Sequence, residues 1–133
     1  MHVTGRCHCG QVSFEAVLDP ANVAICHCTD CQTLSGSPYR VSARVPAATF
    51  RLKTGTLKHY VKTAESGNKR VHSFCPECGT PVHAADPVDP QTYTLRVGTL
   101  DQRAELPPRR QIWRRSAMSW ARDIGGVPGV DKQ

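Results

Sequence analysis

At 133 residues, 39% of them hydrophobic, the chain is long enough for one domain with a modest core, and a bound metal would help such a core hold. Its 17 Lys and Arg against 11 Asp and Glu give a formal charge of +6, which suits an anionic small molecule or nucleic acid and equally a solvated basic surface. No apolar run of about 18 residues occurs and Met1-His2-Val3-Thr4-Gly5-Arg6 has none behind it, so a membrane span and a signal peptide are not expected and the protein reads as cytoplasmic.

Gly5 to Leu18 alternates and reads as two short strands turning at Gly10, with Val12, Phe14 and Ala16 on one face. Asp19-Pro20 breaks the pattern. Asn22 to Cys28 is an apolar approach strand, and Thr29 to Leu34 is a short helix capped by Thr29 or Asp30 and ended by Ser35-Gly36-Ser37-Pro38. Tyr39, Val41, Ala43 and Val45 then alternate with Arg40, Ser42 and Arg44 up to Pro46. Further strands are expected at Phe50 to Lys53, Leu57 to Thr63, Lys69 to Phe74 and Thr80 to Ala85, with polar turns at Thr54-Gly55-Thr56 and Glu65-Ser66-Gly67-Asn68. Tyr93, Leu95 and Val97 alternate against Thr92, Thr94 and Arg96 in the clearest strand of the second half. Helix signals are weak elsewhere, so the fold class is mainly β with at most one or two short helices. A single domain over 1–124 and a loose C-terminal tail over 125–133 are expected.

The seven cysteines divide as four plus three. In a reducing compartment, C-x-C and C-x-x-C spacings point to metal ligands, and an odd count leaves one thiol over in any scheme of disulfides. Cys75-Pro76-Glu77-Cys78-Gly79 has knuckle spacing, with a glycine where positive φ is often required. Cys7 and Cys9 supply its other half if the N-terminal strand lies alongside, giving a closed structural zinc site that ties distant segments together. Buried unligated thiols would leave that spacing without a reason.

Cys26, Cys28 and Cys31 form a set one thiolate short of closure, which is the pattern of a catalytic zinc with a position open to water or substrate. A thiol suits that position, because zinc is borderline soft and lowers the pKa of sulfur bound to it. The inert alternative completes the set with His27, His72 or His83; His27 and His8 are the poorest completers, since each sits between two ligands and points the other way. Two zinc thiolate centres, one of four sulfurs and one of three, would also lower the net charge. Asp30 and Ser35 are candidates for a supporting shell or a general base, but a helix cap and a turn explain them equally well. Arg109, Arg110, Arg114, Arg115 and Arg122, interleaved with Trp113 and Trp120, are either an anion or nucleic-acid surface or a solvated edge.

Taken together, Gly5-Arg6-Cys7-His8-Cys9-Gly10, Cys26-His27-Cys28-Thr29-Asp30-Cys31-Gln32 with Ser35-Gly36-Ser37, Phe74-Cys75-Pro76-Glu77-Cys78-Gly79-Thr80-Pro81 and Val97-Gly98-Thr99-Leu100-Asp101 resemble the glutathione-dependent formaldehyde-activating enzyme family. The resemblance runs from Gly5 to about Asp123 and accounts for every cysteine. It implies an Mss4-like β-sheet domain with zinc-binding cysteine knuckles and two zinc ions per chain. It also implies carbon-sulfur lyase chemistry in which glutathione, as co-substrate, and formaldehyde or a related aldehyde form S-hydroxymethylglutathione. Carried over by position, Cys7, Cys9, Cys75 and Cys78 hold the structural zinc, and Cys26, Cys28 and Cys31 the catalytic one.

Basic residues such as Arg40, Arg44 or the C-terminal arginines are expected to orient the glutathione carboxylates. Expected partners are thus a small thiol and an aldehyde, not nucleic acid or membrane, with the oligomeric state left open. The alternative reading is a non-catalytic zinc-ribbon-like module that binds nucleic acid or protein through a basic surface.

Overall fold

In the computed structural model, which describes residues 1–133, the alternating segments become strands and the capping signal becomes the one α-helix. The strands are β1 (His2–Arg6), β2 (Ser13–Val17), β3 (Val23–Cys26), β4 (Arg40–Pro46), β5 (Arg51–Thr54), β6 (Lys58–Thr63), β7 (Lys69–Phe74), β8 (Pro81–Ala85), β9 (Thr92–Arg96) and β10 (Arg110–Ile112), and the helix is α1 (Thr29–Ser35). Strands β1, β2 and β5 make a small sheet, and the other seven make a large one in the order β10-β3-β4-β9-β8-β7-β6. The mainly β expectation therefore holds, with a single helix and otherwise only short 3-10 turns.

Period-two alternation divides the large sheet into two chemically different faces. Val23, Ala43, Val45 and Leu95 point to the small sheet and pack with Val3, Phe14, Ala16 and Leu18, all of them buried. Burying a side chain such as Phe14 contributes roughly 1.5–3 kcal/mol, so this layer supplies most of the hydrophobic stabilisation. Phe50 joins it, 5.5 Å from Phe14 and 5.2 Å from Tyr93 between ring centroids.

The opposite face is polar. Cys26 lies across from Arg40, Ser42 from Arg96, Ala84 from both Thr94 and His72, and Lys62 from Arg70. These residues alternate along six neighbouring strands, so they share one surface of the sheet.

Two local details differ from the expectations. Helix α1 is capped by Cys28, whose sulfur accepts from the Cys31 N–H at 3.3 Å, rather than by Thr29 or Asp30. A thiolate can take the place of a hydroxyl there, and Gly36 closes the helix at φ 63°, where a β-carbon would be disfavoured.

The second difference is β10, a strand with no alternating signal of its own. It pairs parallel to β3, held by Arg109 N–H to Val23 O at 2.9 Å and His27 N–H to Ile112 O at 3.1 Å. Its three residues are too few to show a period, and only the free edge of β3 specifies them. Residues 125–133 carry no strand or helix and are exposed.

Candidate metal centres and the cationic cavity

The first cluster forms where two turns meet. Cys7 and Cys9 lie between β1 and β2, Cys75 and Cys78 between β7 and β8, and their sulfurs all fall within 4.8 Å of one another. Cys7 and Cys9 are 3.5 Å apart and Cys9 and Cys75 3.8 Å. Four sulfurs at zinc-bonding distance around one ion stand about 3.8 Å apart, so the set fits that metal without rearrangement.

Both turns end on a glycine in the left-handed region, Gly10 at φ 83° and Gly79 at φ 74°. The two turns are also joined directly, by His8 N–H donating to Thr80 Oγ1 at 3.0 Å. Thr80 in turn donates to Cys78 Sγ at 3.1 Å, and this bond is the main reason that the Cys78 thiol is drawn down to about 5. Val12 N–H likewise donates to Cys7 Sγ at 3.2 Å. Donors thus favour thiolate at Cys7 and Cys78, whereas at Cys9 the Gln11 backbone bond is outweighed by burial and by the other three sulfurs, which push it up to about 12.

The second cluster is local. Cys26 ends β3, Cys28 caps α1 and Cys31 lies in its first turn, again with all sulfurs within 4.8 Å. The hydrogen bond between Cys26 and Cys31 lowers the first thiol and raises the second, so Cys26 ionises before Cys31. No imidazole or carboxylate joins the three sulfurs.

The histidines that could complete an inert site do not join the three sulfurs, although each keeps one ring nitrogen without a partner. His27 donates from Nε2 to Gln111 Oε1 at 2.7 Å, and His83 stacks on Tyr93 at 4.4 Å in the apolar layer, where burial takes it down to about 4. His72 accepts at Nδ1 from Arg96 at 3.1 Å. Asp30 is paired with Lys62 at 2.7 Å, and Ser35 donates to Cys31 O at 2.6 Å within its own helix.

Beside the three sulfurs the polar face of the large sheet forms the floor of a cavity of roughly 240 Å³. Arg40, Arg44, Lys62, Arg70, Arg96 and Arg110 line it. Two of these cations have carboxylate partners at the rim, Lys62 with Asp30 and Arg70 with Asp86 at 2.6 Å. Arg40 and Arg96 have none within ion-pair distance, although they are only 5% and 7% exposed.

Of the basic residues named from sequence, Arg40, Arg44 and Arg110 reach this cavity, and Trp113 forms part of its wall. Arg109 and Arg114 line a separate shallow groove, and Arg115 lies over the Trp113 ring at 5.0 Å. Lys62, Arg70 and Arg96 stand in no binding motif of the sequence, and His72 is there a candidate only for the fourth zinc ligand. The polar half of the β9 alternation, ending at Arg96, was the available signal.

A crystal structure of a Rhodobacter sphaeroides protein superposes with a TM-score of 0.63 at 24% identity, covering 81% of this chain and 98% of that one, and so supports the fold. No helix is long and apolar enough to cross a membrane. The sequence pattern described as glutathione-dependent formaldehyde-activating enzyme matches residues 2–116, and the chain belongs to that family, with the Mss4-like β domain expected of it.

Proposed function

We propose that the protein is a zinc-dependent carbon-sulfur lyase that joins a thiol to an aldehyde, with glutathione and formaldehyde as the substrates its family points to. The observation that carries this reading is the three-sulfur cluster of Cys26, Cys28 and Cys31, which has no fourth protein ligand and shares a cavity with a cationic sheet face. In this reading Cys7, Cys9, Cys75 and Cys78 hold a second, structural zinc. Zinc bound to the three sulfurs would supply a Lewis acid that lowers the pKa of a thiol in the remaining position.

The chain's own residues do the rest. The cavity wall supplies fixed positive charge, which raises the local concentration of an anionic thiol and favours its thiolate form. The thiolate sulfur adds to the carbonyl carbon, the C–S bond forms, and the carbonyl π pair moves to oxygen, which then takes a proton. Charge developing on that oxygen is stabilised by cations already in position, which need no reorganisation. Because the cations face a concave space of small-molecule size, this reading is preferred to a nucleic-acid or protein-binding module.

The test is glutathione-dependent loss of free formaldehyde by the zinc-loaded protein, compared with the uncatalysed rate. Activity above that rate that vanishes in Cys31→Ser supports the enzyme. Absence of activity together with DNA binding that weakens steeply with salt would favour the module.

A further inference from the structure

Arg40 and Arg96 occupy neighbouring strands, β4 and β9, on the polar face, each almost wholly buried and without a carboxylate partner. Burying an unpaired charge costs several kcal/mol, and folds rarely retain two such groups side by side without a counter-charge. Their hydrogen bonds are also incomplete. Arg96 donates from Nη1 to Ser42 Oγ at 3.1 Å and from Nη2 to His72 Nδ1 at 3.1 Å, but its Nε–H has no partner.

His72 Nδ1 also faces Arg40 Nη1 at 3.5 Å. An imidazole nitrogen that faces guanidinium donors must be the acceptor, so the ring proton sits on Nε2. That Nε2 is buried and has no partner either. Two guanidiniums and one neutral imidazole therefore line the cavity with buried N–H donors left over and only one acceptor ring among them. The three sulfurs, with charge of opposite sign when ligated, can balance part of this, but they accept no hydrogen bond from either arginine.

From these features we infer that Arg40, Arg96 and His72 form an oxyanion-binding subsite, and that the substrate held beside Cys26, Cys28 and Cys31 carries a carboxylate or phosphate anchored there. Guanidinium forks match either anion through paired N–H bonds. The same cavity has no free carboxylate to receive an ammonium, since Asp30 and Asp86 are committed to Lys62 and Arg70. The preferred ligand is accordingly an oxyanion with no amino group next to it. The inference extends the enzyme reading above by naming what anchors the substrate, while the anion subsite itself can be measured without turnover.

The experiment uses the full zinc-loaded chain and calorimetric titration with three probes: inorganic phosphate, succinate, and aspartate as succinate bearing an ammonium. Succinate or phosphate should bind, the stronger of the two identifying the anion, and aspartate should bind more weakly than succinate. Arg40→Gln and Arg96→Gln should each weaken that binding by about thirtyfold or more. Arg109→Gln, outside the cavity, should leave it unchanged. Circular dichroism and zinc content verify each variant; if Arg96→Gln does not fold, Arg40→Lys, which keeps the charge but loses the fork, should still bind more weakly than wild type.

Absence of anion binding to wild type, or equal binding by Arg40→Gln, overturns the subsite. Aspartate binding as tightly as succinate overturns the exclusion of an ammonium. Thiol-aldehyde turnover is scored separately. Anion binding lost on arginine substitution in a protein without turnover supports the subsite and sinks the enzyme reading, whereas turnover without any anion binding does the reverse.

Discussion

Arg96 Nη2 donates to His72 Nδ1 at 3.1 Å, a bond between a fixed cation on β9 and an imidazole on β7 that forbids the imidazole a second proton. Burial, followed by the charges of Arg96 and Arg40, takes His72 down to about 3, and burial takes His83 to about 4. Both folded-state values lie below the ordinary 6.5.

The unfolded chain therefore takes up protons at these rings as pH falls through about 6.5, while the folded chain refuses them until about 3 to 4. Stability associated with the two histidines is complete above about 6.5 and is lost progressively as pH falls from there to the folded-state values of about 3 to 4. Imidazole nitrogen chemical shifts of the zinc-loaded protein at pH 5 should show both rings neutral, with His72 protonated on Nε2. A doubly protonated His72 at that pH would contradict the contact with Arg96.

Metal content is the second expectation. Two clusters with sulfurs within 4.8 Å of one another should load close to two zinc ions per chain after demetallation and reconstitution. A reproducible stoichiometry of one, with Cys26, Cys28 and Cys31 freely alkylated in the presence of zinc, would reduce the protein to a single structural metal.

A third expectation concerns Gly5, which pairs with Phe14 in the small sheet and bridges to Leu100. A β-carbon there would lie 2.4 Å from Phe14 Cζ and 2.9 Å from the Thr99 carbonyl oxygen. Phe14 is only 1% exposed in the core and cannot swing away, so Gly5→Ala should cost about 1–3 kcal/mol. Denaturant midpoints with unchanged slopes provide the measurement, and an unaltered midpoint would mean that the core is looser around Phe14 than its burial indicates.

What was legible in the sequence follows from which interactions are local. The cysteine spacings marked the three-sulfur cluster and each half of the four-sulfur one, because ligands two or three residues apart converge locally, whereas the meeting of Cys7 and Cys9 with Cys75 and Cys78 depends on the fold bringing two distant turns together. Alternation specified Arg40–Pro46 and Thr92–Arg96, and with them the two faces of the large sheet. The cavity could not be read in the same way. It depends on strand order, which places β7, β8 and β9 between β6 and β4 and so brings His72 and Arg96 to Arg40. Strand β10 was hidden for a related reason, since its partner lies more than eighty residues earlier at Ala24 to Cys26.

The two clusters should respond differently when one ligand is removed. Cys7 and Cys75 are buried in the hydrophobic core and Cys78 packs against it, so this metal would join the β1–β2 turn to the β7–β8 turn through the centre of the fold. Metal binding there is folding free energy, because the unfolded chain holds no such site. Cys78→Ser should therefore give insoluble or broadly melting protein.

Cys26, Cys28 and Cys31 span a single short loop that other bonds already secure. Gln32 Nε2 donates to His27 O at 2.8 Å and to Ser116 O at 2.9 Å, anchoring α1 to the segment that follows β10 without any metal. Cys31→Ser leaves those bonds and the Cys28 cap in place, since the cap uses the Cys31 backbone N–H rather than its sulfur. That variant should stay folded, bind one zinc fewer and lose thiol-aldehyde activity. Circular dichroism, zinc content and formaldehyde consumption measured side by side on both variants decide the matter. Unfolding of Cys31→Ser with Cys78→Ser folded and active would exchange the structural and catalytic roles, and the chemistry assigned to the three-sulfur site would fall with them.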